Sequence, residues 1–211
     1  PAGDIYLVVG LSVISFIVGL FILGYQYDVV KFSIDRKADL PGVNDIAGLL
    51  VRGIKYLIVT VAYYIIPVIV WTAGIAFAGD SLVFIIVSLI AGLLFIIAYF
   101  LMIMAVNNMV AYGSIKKAFD FREITDNIAN LGWGKYIGIV LFTVIVMMII
   151  SVAVGIILSF ITVAFAAVIN NQAVIISIVI AIIEGLFIDS YMTVFFSRVS
   201  GKITVDAGAA K

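Results

Sequence analysis

Two carboxylates sit inside an otherwise apolar stretch at about 174–197. Glu184 lies near its midpoint and Asp189 nearer one end. An ionised acid at the centre of a bilayer costs about 2.5–3.5 kcal/mol on insertion scales, so intramembrane acids are candidate sites by default. The chemistry they offer is an ion or proton relay, with Tyr63, Tyr64 and Tyr99 as further hydroxyls. The plainer alternative is a protonated or hydrogen-bonded acid that holds helices together. On an α-helix a five-residue step turns the two acids about 140° apart, which makes them a poor joint ligand set. Glu184 shares a face with Tyr191 and Asp189 shares one with Thr193. Arg198 is the nearest basic partner for Asp189 in sequence. Asn107 and Asn108 follow another apolar stretch and read as interfacial caps or as the lining of a pore mouth.

Other chemistries find no residues. The chain has no Cys and no His, which removes thiol nucleophiles, thiolate or imidazole metal sites and imidazole acid–base catalysis. The 18 Gly are scattered through apolar segments and form no phosphate-cradling loop. No Ser has a candidate base beside it. The expectation is a protein that is not an enzyme and carries no cofactor or metal.

The elements that position these residues follow from composition. The chain is 65% apolar and 11% charged, where soluble domains run nearer half and a quarter. Lipid must therefore be the solvent for most of it. About 20 helical residues cross the hydrocarbon, and five segments qualify: roughly 5–27, 56–78, 82–104, 136–158 and 174–197. The runs are continuous, which selects helices over strands. The stretch 136–169 spans about 51 Å if wholly helical. It reads as a long helix with an extracellular extension, the alternative being a short re-entrant piece at 159–169. Tight turns are expected at Ala78–Ser81 and at Asn170–Gln172.

The basic residues fall only in alternate gaps. The first set is Lys31, Arg36, Lys37, Arg52 and Lys55; the second is Lys116, Lys117, Arg122 and Lys135; the third is Arg198, Lys202 and Lys211. Cytoplasmic loops are enriched in Lys and Arg. The expected topology is an outside N-terminus and a cytoplasmic C-terminus in the plasma membrane. Net charge is zero, so nucleic acid is not an expected partner, but the inner face carries a basic excess suited to anionic lipid headgroups. The chain opens on Pro1, so a preceding native segment is expected.

Both long basic loops carry helical periodicity. In 44–57 the residues Ile46, Leu49, Leu50, Ile54 and Leu57 form a stripe, with Asp45, Arg52 and Lys55 facing away. In 119–131 the stripe is Phe121, Ile124, Ile128 and Leu131, with Glu123, Asn127 and Asn130 off it. Asp120 before Glu123 signals a helix start and Gly132 a stop. Each loop reads as an amphipathic helix at the inner surface that feeds the next span. Span, loop helix and span then recur: unit 5–78 is repeated at 82–158, with a partial copy at 174–203. Arg52–Val59 aligns with Trp133–Val140. The expected fold is one all-α polytopic domain over 1–211, with five spans, two amphipathic helices and about two and a half parallel repeats. Pro67 predicts a kink in the second span. Gly134…Gly138 and Ser15…Gly19 predict close helix contacts.

Several short pieces also carry a resemblance. They are Gly24-Tyr25, Leu40-Pro41, Arg52-Gly53-Ile54-Lys55, Tyr63 to Pro67, Ala118-Phe119-Asp120-Phe121 with Glu123-Ile124, Lys135-Tyr136, and Phe195 to Gly201. In order and spacing they resemble the domain-of-unknown-function 4013 family, an uncharacterised archaeal membrane-protein family. The resemblance implies an archaeal membrane protein and no particular activity.

Three functions remain, the third a membrane-surface sensor working through the basic loops. The first is a non-catalytic structural or accessory membrane protein, a homo-oligomer or a subunit of a larger membrane complex, with lipids as its other partners. The second is an ion or small-solute conduit using Glu184 and Asp189.

Overall fold

A computed structural model describes residues 2–76, 81–168 and 184–209. All regular structure among them is helical. Helix α1 runs Ala2–Ile34, α2 Ile46–Ala76, α3 Ser81–Tyr112, α4 Phe121–Leu131, α5 Trp133–Val168 and α6 Ser190–Asp206. A 3₁₀ turn, Ile115–Phe119, precedes α4, and a π-helical turn, Glu184–Asp189, leads into α6. Among the described residues four helices are long and apolar enough to cross a membrane: those containing Val9–Ile34, Ile46–Ala76, Leu82–Tyr112 and Trp133–Ala164. Residues 174–183 of the fifth expected span, the turn at Asn170–Gln172, residues 78–80 of the other turn, and Lys211 lie outside the described residues.

Among the described residues the best-packed core is not at the middle of the spans. It lies at the charged end, where every residue of α3 from Met102 to Val110 is buried. A helix buried on all sides must be central. Around it pack Tyr27, Val30 and Ile34 of α1, Ala118 of the 3₁₀ turn, Ile124, Ile128 and Leu131 of α4, Tyr136 and Val140 of α5, and Ile203 of α6. Elsewhere the spans turn Ile, Leu, Val and Phe outward, among them Ile66, Leu89 and Phe142. That pattern suits lipid as the outer solvent.

The first loop differs from its expectation. No separate helix precedes the second span; residues 46–57 are the opening turns of α2 itself. Asp45 caps it, accepting the Gly48 N–H at 2.9 Å. The buried face is Leu49, Gly53, Val59, Tyr63 and Pro67, while Ile46 and Ile54 are exposed. The stripe is turned because glycine sets the contact. A Cβ on Gly53 would stand 2.0 Å from the Leu20 carbonyl oxygen, and one on Gly24 would stand 2.0 Å from that of Leu49. Only two facing glycines let α1 and α2 approach so closely. At Gly19, Gly134 and Gly138 a Cβ would meet nothing within 4 Å, so the expected contacts there do not form among the described residues.

The second loop does hold a separate helix. Asp120 caps α4, accepting the Glu123 N–H at 3.2 Å. Gly132 ends it at φ 93°, a left-handed conformation that favours glycine, and its N–H closes onto Ile128 and Ala129. The buried face is Ile124, Asn127, Ile128 and Leu131. Asn127 thus joins the core, and Phe121 stays largely exposed beside the Tyr63 ring. Helix α5 continues unbroken to Val168, which excludes a re-entrant break at 159–168. It packs through Tyr136, Val140 and Thr143, one face of its first turns.

Candidate functional site

The polar groups at the charged end act as locks between helices. Asn107 and Asn108 are completely buried, not at an edge, because α3 extends eight residues beyond its expected end at 104. Asn107 Nδ2 donates to the Ser200 carbonyl at 3.0 Å, and Asn107 Oδ1 accepts the Ser200 hydroxyl at 2.7 Å, joining α3 to α6. Asn127 Nδ2 donates to Asn108 Oδ1 at 3.1 Å, joining α4 to α3. The Tyr63 hydroxyl donates to the Ala118 carbonyl at 2.7 Å, and that of Tyr136 to the Phe100 carbonyl at 2.6 Å. Buried polar groups of this kind are costly unless paired, so they specify which helices meet.

Asp189 and Glu184 are placed differently from their α-helical expectation. Both belong to the π-helical turn, whose i→i+5 bonds bring residues five apart nearly above one another. The wide separation expected on an α-helix does not apply. Ser190 Oγ also donates back to the Gly185 carbonyl at 3.2 Å. Glu184 is half-buried and Asp189 exposed. Asp189 lines a groove of about 250 Å³ with Phe21, Tyr25, Val43 and Thr193. Tyr63, Tyr64 and Tyr99 do not line it; they pack on the α2–α3 side, against Phe121, Phe95 and Phe100.

Arg198 does not pair with Asp189. Its guanidinium donates to the backbone carbonyls of Lys37, at 2.5 Å, Ala38, at 3.0 Å, and Asp39. It thereby ties the chain leaving α1 to α6. Arg52, expected to face away, lies 2.8 Å from Asp28 through Nε, without a hydrogen bond's alignment, and 3.2 Å from Asp45 through its terminal nitrogen. Asp45 is held below the usual carboxylate range, first by the Gly48 N–H and then by Arg52.

Lys117 bridges Glu123 at 2.5 Å and Asp120 at 3.3 Å. Asp120 is pulled below the usual range, chiefly by the Glu123 N–H and then by Lys117. The two carboxylates raise Lys117, Glu123 more than Asp120. Lys31 pairs with Asp35 at 3.0 Å, and Arg122 approaches the exposed Asp126 at 4.0 Å. Lys37 sits over the Phe32 ring. Arg36, Lys116, Lys135 and Lys202 are exposed and Lys55 is half-buried. Among the described residues no group of three or more acids could hold a metal ion.

Sequence reasoning missed Gly24 and Gly53 as contacts, and Asn107 and Asn108 as core. The signal was present in part: Asn107-Asn108 is flanked on both sides by apolar residues, Ala105-Val106 and Met109-Val110.

Long apolar helices, an outward apolar surface and a polar-locked charged end define a membrane-embedded all-α protein. The model of one family, described as Protein of unknown function (DUF4013), matches residues 7–159. The chain belongs to that family. No curated protein and no solved structure matches it.

Proposed function

We propose that this chain is a non-catalytic structural or accessory integral membrane protein that packs with itself or with a larger membrane complex. The observation that carries the reading is where the polar groups are used. Asn107, Asn108, Asn127, Tyr63 and Tyr136 are all engaged in holding helices of this chain together. Tyr63 also lines an apolar hollow of about 180 Å³ between α2 and α3, but its hydroxyl is committed to the Ala118 carbonyl. Meanwhile no described residue of α5 from Val144 to Ala164 is buried within the chain's described part, which leaves a long apolar face for a neighbour or for lipid.

In this reading the fifth span completes the bundle and the charged end faces the cytoplasm of the plasma membrane. The two units are duplicated copies, and α4, the loop helix of the second, lies at the inner surface. Cross-linking in native membranes, followed by mass measurement after mild solubilisation, tests the assembly. Discrete multimers or a reproducible heteromer are expected. A monomer at every concentration and in every mild detergent would refute it.

A second reading, an ion or small-solute conduit, is favoured by the π-helical turn. It brings Glu184 and Asp189 into near register and sets Asp189 in a groove beside Tyr25 and Thr193. Proteoliposome flux that falls with Glu184→Gln and Asp189→Asn is the expected outcome. Absence of flux with the unaltered chain across monovalent cations and protons removes this reading.

A further inference from the structure

We infer that the cleft between the ends of α1 and α6 binds a phosphate-bearing anion, with Arg36, Lys37 and Lys202 as its contacts and Arg198 as the residue that positions them. The cleft has a volume of about 490 Å³, and its lining includes Arg36, Lys37, Arg198, Lys202, Ser33 and a single acid, Asp206. That volume lies within the usual range for small-molecule sites.

Residues about 160 positions apart in sequence are brought together here by the contact beneath them. Gly201 lies so close to α1 that a Cβ would be 2.5 Å from that of Ser33, and Ser33 Oγ donates to the Arg198 carbonyl at 2.8 Å. Four cations therefore face one carboxylate. Like charges gathered in this way repel, and the ordinary relief is an anion held among them. Arg198 already commits its donors to the carbonyls of residues 37–39, which fixes the position of Lys37 on the rim. The apolar run of α1 gives way to Asp28 and Lys31 before the helix ends at Ile34, and in the proposed orientation that turns the cleft toward headgroup phosphates.

The backbone supplies an independent observation. Arg36 has φ 57° and is the only non-glycine residue in the left-handed region among the described residues. It occupies the end position of a Schellman motif, in which Lys37 N–H bonds the Phe32 carbonyl and Arg36 N–H bonds that of Ser33. Helix α6 ends on the same motif, with Gly208 at the equivalent position. Glycine is the easy residue there, so an arginine is strained, and strain of this kind collects at functional positions. The helix dipole favours a cation near each helix end, but it does not require one at the left-handed position.

The test uses the full chain in neutral detergent, titrated with dioctanoyl phosphatidylglycerol, dioctanoyl phosphatidylcholine and inorganic phosphate. The unaltered protein should bind phosphatidylglycerol in preference to phosphatidylcholine. Arg36→Gly should keep or raise the melting temperature without ligand, because it relieves the backbone, and yet weaken phosphatidylglycerol binding by about tenfold, the loss of one charge-assisted contact. Lys202→Gln should weaken it similarly. Arg122→Gln, which removes an exposed charge outside the cleft, should leave affinity unchanged. Tighter binding of phosphatidylglycerol than of phosphate assigns the cleft to lipid headgroups; equal, Arg36-dependent binding of phosphate assigns it to a free anion. Affinity that survives both Arg36→Gly and Lys202→Gln, or that falls equally with Arg122→Gln, overturns the proposal. None of these outcomes bears on the assembly proposed above.

Discussion

Replacing Gly53 by Ala should separate α1 from α2. The added Cβ would stand 2.0 Å from the Leu20 carbonyl oxygen, 2.9 Å from its carbonyl carbon and 3.2 Å from the Gly24 nitrogen. All three are backbone atoms, so no rotamer change relieves them. A carbon normally approaches a carbonyl oxygen no closer than about 3.3 Å, so the helices must part by about 1.3 Å at this point. The Arg52–Asp28 ion pair, at 2.8 Å one residue away, would be stretched with them. Overpacking costs about 1–3 kcal/mol, and contact with rigid backbone places this site in the upper part of that range. Alanine recovers about 1 kcal/mol of helix propensity. The net loss is about 2 kcal/mol, or about 4–8 °C in melting temperature for a chain of this size. Gly138→Ala provides the opposite sign. Its Cβ meets nothing within 4 Å, so it should gain up to about 1 kcal/mol. Fluorescence-monitored melting of the two variants in one detergent decides the matter. If Gly53→Ala melts at or above the unaltered protein, the close approach of α1 and α2 is wrong.

Three further outcomes follow from the charged end. Asn107→Ala leaves the buried Ser200 hydroxyl without its acceptor and should lose about 1–3 kcal/mol, whereas Asn107→Leu combined with Ser200→Ala should recover much of that in the same melting assay. Tyr136→Phe removes the donor to the Phe100 carbonyl and should cost about 1 kcal/mol, with equal stability counting against that bond. Stability should also respond to pH through the cap of α4. Asp120 titrates below its ordinary value, so its contribution is complete above about pH 4 and is lost as pH falls through the lowered value. Lys117 titrates above its ordinary value, so its contribution is complete below about pH 10 and is lost above it. The melting difference between the unaltered protein and Asp120→Asn should be flat from about pH 5 to 9 and shrink in acid; a difference that persists to about pH 2 contradicts the assignment.

Features that depend on neighbours along the chain are legible in the residues alone. The apolar runs that form α1, α2, α3 and α5 are visible in a sliding window, because burial in lipid is a property of one segment at a time. The Asp120 start and the Gly132 stop of α4 are equally local, since a cap involves residues within four positions of each other. Where the loop stripes fail, the reason is a partner distant in sequence. Asn127 reads as a surface residue until Asn108 is known to face it, and Ile46 and Ile54 read as buried until Gly53 turns α2 toward Leu20. The candidate acids stand out in the sequence, but their register depends on a π-helical turn that periodicity at 3.6 residues does not anticipate.

By itself the sequence determined that the chain is a bundle of apolar helices with its cations gathered at one end. Hydropathy and charge bias act through solvent and need no tertiary contact. Only the tertiary structure decided which glycines let helices touch, that three asparagines lie in the core, and that Arg36 and Lys37 share a cleft with Arg198 and Lys202. Those outcomes depend on the rotation and depth at which separate helices meet. That is a property of two surfaces together, and no window along one chain contains it.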